Sequence, residues 1–104
     1  MKVTEIKSES QWESAISTGI VIVDFHAKWC GPCKHMTPIF KELSIAYPTV
    51  KFLKVDVEDQ SEISSMCGIT CMPTFHLYKD GEKISEISGA DREGIEALLN
   101  EATA

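Results

Sequence analysis

The run Ile20-Val21-Ile22-Val23-Asp24-Phe25 is apolar without alternation, rich in β-branched residues, and broken only by one carboxylate. A strand that shows water one face alternates polar and apolar residues, so a continuous run of this kind reads as a strand buried on both faces. It requires a neighbouring strand on each edge and covering layers above and below, and the sheet should centre on it. With 104 residues, 43% of them hydrophobic, the chain can supply those layers from one domain spanning residues 1–104. A core of that size needs no disulfide to fold, which leaves the four cysteines free for chemistry.

The flanking segments supply the layers. Met1 to Ile6 alternates and reads as an edge strand, and Glu9 to Ser17 carries Trp12, Ala15 and Ile16 at helical spacing. From Pro32 to Ala46 the residues Met36, Ile39, Phe40, Leu43 and Ala46 form one helical stripe, which Pro38 should kink. Val50 to Val57 reads as a strand and Asp59 to Cys67 as a short helix. Thr74 to Tyr78 and Lys83 to Ser88 read as strands joined by the turn Lys79-Asp80-Gly81-Glu82. A last helix, Asp91 to Glu101, has Asp91 as its cap and Ile95, Leu98 and Leu99 on its inner face. No repeat, linker or low-complexity tract interrupts this order, which predicts a mixed sheet with helices on both faces.

Immediately after the central strand stands Trp29-Cys30-Gly31-Pro32-Cys33-Lys34. Residues three apart on a helix lie on one face, roughly 5–6 Å from each other, within the span of about 4.4–6.8 Å between α-carbons that a disulfide needs. Pro32 suits the first helical position and Gly31 permits a tight entry. The unpaired amides and the positive end of the helix dipole then face the Cys30 sulfur and favour its thiolate. Cys30 is the expected nucleophile. Cys33, one turn inside, keeps its proton until a base removes it and is the expected resolving cysteine. Lowering a thiol's pKa raises its thiolate fraction but weakens each thiolate as a nucleophile, so the two effects partly cancel. The larger advantages are a good leaving group at Cys30 and a second thiol held beside it. Asp24 ends an apolar strand, where an ionised carboxylate is costly, so its pKa should be raised unless it is paired.

Formal charge is −6, with acidic residues dispersed apart from the Asp56 to Asp59 cluster. That balance excludes a nucleic-acid surface and repels an anionic membrane, while protein partners stay open. No apolar run approaches the length of a membrane span, and Met1 to Ser10 has no signal-peptide apolar region, so the expectation is a reducing intracellular, cytoplasmic setting.

Over essentially its whole length the chain resembles the thioredoxin family. The likeness is carried by Trp29 to Lys34, by Asp24-Phe25 before it, by Met72-Pro73-Thr74-Phe75 after it, by the turn at Asp80-Gly81 and by Ser88-Gly89-Ala90. The resemblance implies an α/β thioredoxin fold, a central mixed five-stranded sheet flanked by four helices. In that fold the first, third and second strands are parallel and the final hairpin is antiparallel. It also implies a Cys30/Cys33 dithiol-disulfide cycle that reduces protein disulfides. By the same likeness Asp24 sits behind Cys33 and takes and returns its proton, coupled to Lys54 on the neighbouring strand. Pro73 is the family's cis-proline position, and Trp29, Gly31, Pro32, Met72, Pro73, Gly89 and Ala90 form the docking surface for an extended substrate segment. No cofactor is expected to bind; electrons are expected from NADPH through thioredoxin reductase. Expected recipients are peroxiredoxins, ribonucleotide reductase and methionine sulfoxide reductase, with the chain a monomer and a Cys71-linked dimer as a second state.

Cys67 and Cys71 are a second pair, and the likeness extends to animal cytosolic members in which these positions imply regulation by intermolecular disulfide, glutathionylation or nitrosylation. Small idle thiols are the plainer reading. His26 departs from the family, where an aromatic or small residue is usual, and an imidazole there is hypothesised to tune Cys30. His35 and His76 carry no assigned role, with His76 expected to face solvent by alternation with Phe75 and Leu77. Three classes compete: a dithiol oxidoreductase, a zinc module using Cys30, Cys33, Cys67 and Cys71, and a protein-binding module gated by its redox state. Structural zinc pairs sit on short turns, whereas Cys30/Cys33 opens a long apolar helix, which disfavours zinc. Among oxidoreductases the runner-up is an isomerase-like oxidant, disfavoured because such proteins carry histidine where Pro32 stands.

Overall fold

The computed structural model describes residues 3–104. Its elements are β1 (Val3–Glu5), α1 (Glu9–Ile16), β2 (Ile20–His26), α2 (Gly31–Ala46), β3 (Lys51–Asp56), α3 (Ser61–Met66), β4 (Thr74–Lys79), β5 (Glu82–Ser88) and α4 (Arg92–Thr103). The expected first strand began at Met1; residues 1 and 2 lie outside the described ones. Five strands form one sheet in the order β1-β3-β2-β4-β5, with β1 and β2 each parallel to β3, and β4 antiparallel to both β2 and β5. This is the thioredoxin fold, with β2 at its centre.

The unalternating sequence of β2 is explained by two cores. Ile22 packs with Met36, Phe40, Leu43, Phe52, Phe75, Ile95 and Leu99 on the face covered by α2 and α4. Val21, Val23 and Phe25 pack with Ile6, Trp12, Leu53, Val55 and Ile63 on the face covered by α1 and α3. Trp12 meets Phe25 and Tyr78 edge to face, and Phe40 lies against Phe52 and Phe75, with ring centroids 4.9 and 5.7 Å away.

Local chemistry sets the ends. Ser8 caps α1 by accepting the Gln11 amide, and Asp91 caps α4 by accepting that of Gly94. The hairpin turns at Asp80 and Gly81, both with positive φ, which matches the right-handed twist of the strands it joins. The Asp80 side chain also accepts the Gly19 amide, tying this turn to the start of β2. α2 is continuous from Gly31 to Ala46 with Pro38 inside it. The α3 helix is shorter than the expected Asp59 to Cys67, because Asp56 Oδ1 accepts the amides of Glu58 and Asp59 and holds that stretch as a turn.

One expectation fails outright. His76 does not face solvent: it is 2% exposed, in edge contact with Phe25 at 4.9 Å between ring centroids. Alternation correctly puts it on the face opposite Phe75 and Leu77, but that second face is itself covered by helices, so neither side of β4 is free.

Candidate functional site

β2 ends at His26, and the chain turns into α2 through Ala27 to Cys30, with the Cys30 amide donating to the Ala27 carbonyl at 3.2 Å. Cys30 is the N-cap of α2, with extended backbone geometry, and its sulfur accepts the Cys33 amide at 3.1 Å. A sulfur thus occupies the place where a serine or aspartate oxygen usually satisfies a free amide of the first turn. Cys30 and Cys33 are joined as a disulfide with α-carbons 5.2 Å apart. Both are buried, packed with Ala27, Val57 and Met72. Cys33 does not differ from Cys30 in exposure in this oxidised form; the asymmetry lies in the cap contact.

A second segment closes over the pair. The Met72–Pro73 peptide bond is cis, and the Met72 carbonyl oxygen lies 3.7 Å from the Cys30 sulfur. The Gly89 amide donates to the Pro73 carbonyl at 2.8 Å, which brings Gly89 beside this segment. Trp29, 65% exposed, stands next to the disulfide as a large uncovered apolar side chain, with Gly31 and Pro32 also exposed at the helix start.

Asp24 is 1% exposed, and burial raises its carboxyl to about 7 against a smaller lowering by the Lys54 charge. Lys54 is its register partner on β3. Among the described residues, three buried side-chain polar atoms lack a protein partner: Asp24 Oδ1, His26 Nε2 and Asp56 Oδ2. Asp24 opens onto a cavity of about 190 Å³ lined by Val3, Glu5, Thr37, Phe40, Lys41 and Lys54. Thr37 stands one turn beyond Cys33 and donates to its carbonyl, so the cavity reaches the first turns of α2. His26 is paired in register with Asp56, and burial lowers its basicity. For Asp56, burial alone would raise the carboxyl, but the Asp59 and Glu58 amides hold it below its usual value. The adjacency of His26 to Asp56 was not legible in the chain, since it depends on the parallel register of β2 and β3.

The remaining cysteines part company. Cys71 is exposed, and hydrogen bonding to Ser88 and Thr74 lowers its thiol. Cys67 is half-buried at the end of α3, its thiol raised by burial. Among the described residues no group of three or more histidine, cysteine or acidic side chains is arranged to hold a metal ion, and no helix is long and apolar enough to cross a membrane.

Residues 3–101 match the family model described as Thioredoxin. The thioredoxin of Homo sapiens is 45% identical over 102 residues, covering 95% of this chain and 97% of the relative. Among solved structures, the thioredoxin of Malassezia sympodialis superposes with a TM-score of 0.94 at 39% identity, covering all of this chain and 96% of that one. A chain from a structure on the thiol resolving mechanism of a yeast mitochondrial 1-Cys peroxiredoxin through glutathione and thioredoxin systems superposes with a TM-score of 0.91 at 37% identity, covering 95% and 94%.

Proposed function

The chain belongs to the thioredoxin family and is a thiol-disulfide oxidoreductase, a protein-disulfide reductase with a redox-active Cys30–Cys33 pair; from that premise we propose that Cys30 attacks the substrate disulfide and Cys33 resolves the mixed disulfide. The observation that carries this assignment is the helix cap: the Cys33 amide points at the Cys30 sulfur at 3.1 Å and stabilises negative charge there, on the thiolate that attacks the substrate. The Cys30 thiolate attacks one sulfur of the substrate disulfide and the other leaves as the first substrate thiol. Cys33 then attacks the Cys30 sulfur, forming the Cys30–Cys33 disulfide and releasing the second substrate thiol.

Cys33 must lose a proton for its step, and Asp24 is the acceptor in this reading. Burial holds Asp24 near neutrality, where a carboxylate can both take and return a proton, and Lys54 moderates that value. Trp29, Gly31, Pro32, Met72, Pro73, Gly89 and Ala90 receive the substrate as an extended segment, with the Met72 backbone beside the reacting sulfur. Pro32 between the cysteines adds no positive charge to the thiolate, which supports reduction over isomerisation.

Electrons enter from NADPH through thioredoxin reductase. Peroxiredoxins are the first recipients to try, given the system in which the yeast relative was studied, with ribonucleotide reductase and methionine sulfoxide reductase next. The cycle belongs to the cytoplasm, where such a dithiol is kept reduced. Exposed Cys71, with its lowered thiol, is the position for an intermolecular disulfide between two copies.

Insulin reduction with Cys33→Ser tests the assignment. The variant should stall as a mixed disulfide through Cys30 that mass spectrometry detects, and Cys30→Ser should form no adduct. An adduct formed through position 33 in Cys30→Ser would reverse the roles.

A further inference from the structure

On the face of the sheet covered by α1 and α3, four polar side chains line up outside the disulfide centre. Glu86 Oε1 lies 3.9 Å from His76 Nε2, His76 Nδ1 lies 3.4 Å from the Tyr78 hydroxyl, and that hydroxyl lies 3.7 Å from the Cys67 sulfur. His76 is 2% exposed and Tyr78 7%, Cys67 is half-buried, and Glu86 is exposed, so the line runs from a sheltered thiol to water. Its parts come from three elements: Cys67 at the end of α3, His76 and Tyr78 two apart on β4, and Glu86 as the register partner of His76 on β5.

The directions of donation are mutually consistent. The Glu86 carboxylate favours hydrogen on Nε2, which leaves Nδ1 as an acceptor; the Tyr78 hydroxyl donates to it, and its oxygen accepts from the Cys67 thiol. A nucleophile with a base in reach through an interposed tyrosine is the arrangement that activates weak nucleophiles, and the Glu86 charge, 3.9 Å from Nε2, favours the tautomer that leaves Nδ1 to accept. The charged groups facing the imidazole are Glu86, which favours its protonated form, and Lys83, which opposes it and itself pairs with Glu86. Burial keeps the imidazole neutral at rest, as a base must be, and keeps the Cys67 thiol protonated.

We propose that Glu86, His76 and Tyr78 form a proton relay that makes Cys67 a second reactive thiol, oxidised by small hydroperoxides. As the sulfur attacks the distal peroxide oxygen, the S–O bond forms and the O–O bond breaks. The thiol proton passes to the Tyr78 oxygen while the Tyr78 proton passes to His76 Nδ1. The departing alkoxide, or hydroxide from hydrogen peroxide, then takes a proton back. Cys67 becomes a sulfenic acid, oxidised by two electrons, and the peroxide is reduced by two to an alcohol or water. A small thiol condenses with the sulfenic acid to a mixed disulfide with loss of water, and a second thiol restores Cys67. A small oxidant suits a half-buried sulfur. The product stands four residues before Cys71 and five before Met72, at the head of the segment that closes over the disulfide.

The test uses the full chain with Cys71→Ser and the Cys30–Cys33 disulfide intact, so that Cys67 is the one free thiol. Its oxidation by hydrogen peroxide is followed by mass spectrometry after trapping the sulfenic acid with dimedone. Tyr78→Phe and His76→Gln should each slow the reaction about a hundredfold, the low end of what a positioned base contributes. Loosened packing would expose the sulfur and speed it, so an unchanged or faster rate in either variant overturns the relay. The pH profile with relay residues intact gives an independent reading. The rate should rise as His76 loses its proton and then level off through neutral pH; an uninterrupted tenfold rise per pH unit, as for an unassisted thiol, also overturns the proposal.

Discussion

Replacing Asp24 with asparagine should stabilise the oxidised protein, and by an amount that depends on pH. The carboxyl titrates at 3.8 when unfolded and at about 7 when folded. Below 3.8 it is protonated in both states and has no effect on stability. Between the two values the unfolded chain releases its proton while the folded chain keeps it, so stability falls as pH rises; above 7 the penalty is constant. At 1.36 kcal/mol per unit of pKa difference, the penalty is about 1.7 kcal/mol at pH 5 and about 4.3 kcal/mol at pH 8. Asparagine keeps the shape and removes the titration, so Asp24→Asn should gain about 2.6 kcal/mol more over the parent at pH 8 than at pH 5. Groups that do not feel the Asp24 charge contribute equally in both proteins and cancel. Urea unfolding at the two pH values, with the disulfide intact throughout, measures the difference directly. A gain equal at both values would refute the reasoning, since the Asp24 carboxyl would then titrate alike in the folded and unfolded chain. The same variant should resolve mixed disulfides more slowly, through loss of the proton acceptor assigned to Cys33.

Phe40→Ala removes a ring buried between Phe52 and Phe75 and should cost roughly 3–5 kcal/mol in urea unfolding. Asp91→Ala, which frees the Gly94 amide at the start of α4, should cost about 1 kcal/mol by the same assay. Gly81→Ala meets no steric obstacle closer than 3.7 Å, so its cost should be the backbone strain of a positive φ alone, about 1–2 kcal/mol. A much larger loss would mean that the hairpin register had shifted.

What the chain disclosed and what it concealed divide along a physical line. The buried strand, the redox helix and the hairpin are local patterns: the unbroken run of β2, the Cys30-Gly31-Pro32-Cys33 spacing and the Asp80-Gly81 turn each state their own conformation. The costly position of Asp24 was legible too, because a carboxylate inside an apolar run has few places to go. The strand order was not readable from periodicity; it followed from family likeness, since nothing in the β2 sequence names its neighbours. His76 was misread for a related reason, because alternation specifies a side of the strand and not what covers that side. The line joining Glu86, His76, Tyr78 and Cys67 was hidden as well. The proximity of positions 67 and 78 exists only after the chain crosses from α3 to β4.

The placement of β2 between β3 and β4 bears on how the catalytic pair survives repeated use. The loop bearing both sulfurs is rooted in the element with two paired edges and a helix layer on each side, where transient opening is rarest. Amides of Val21 to Phe25 should therefore rank among the slowest to exchange with heavy water in both oxidised and reduced protein. The bond between the sulfurs can be made and broken many times while the frame that aims them stays closed.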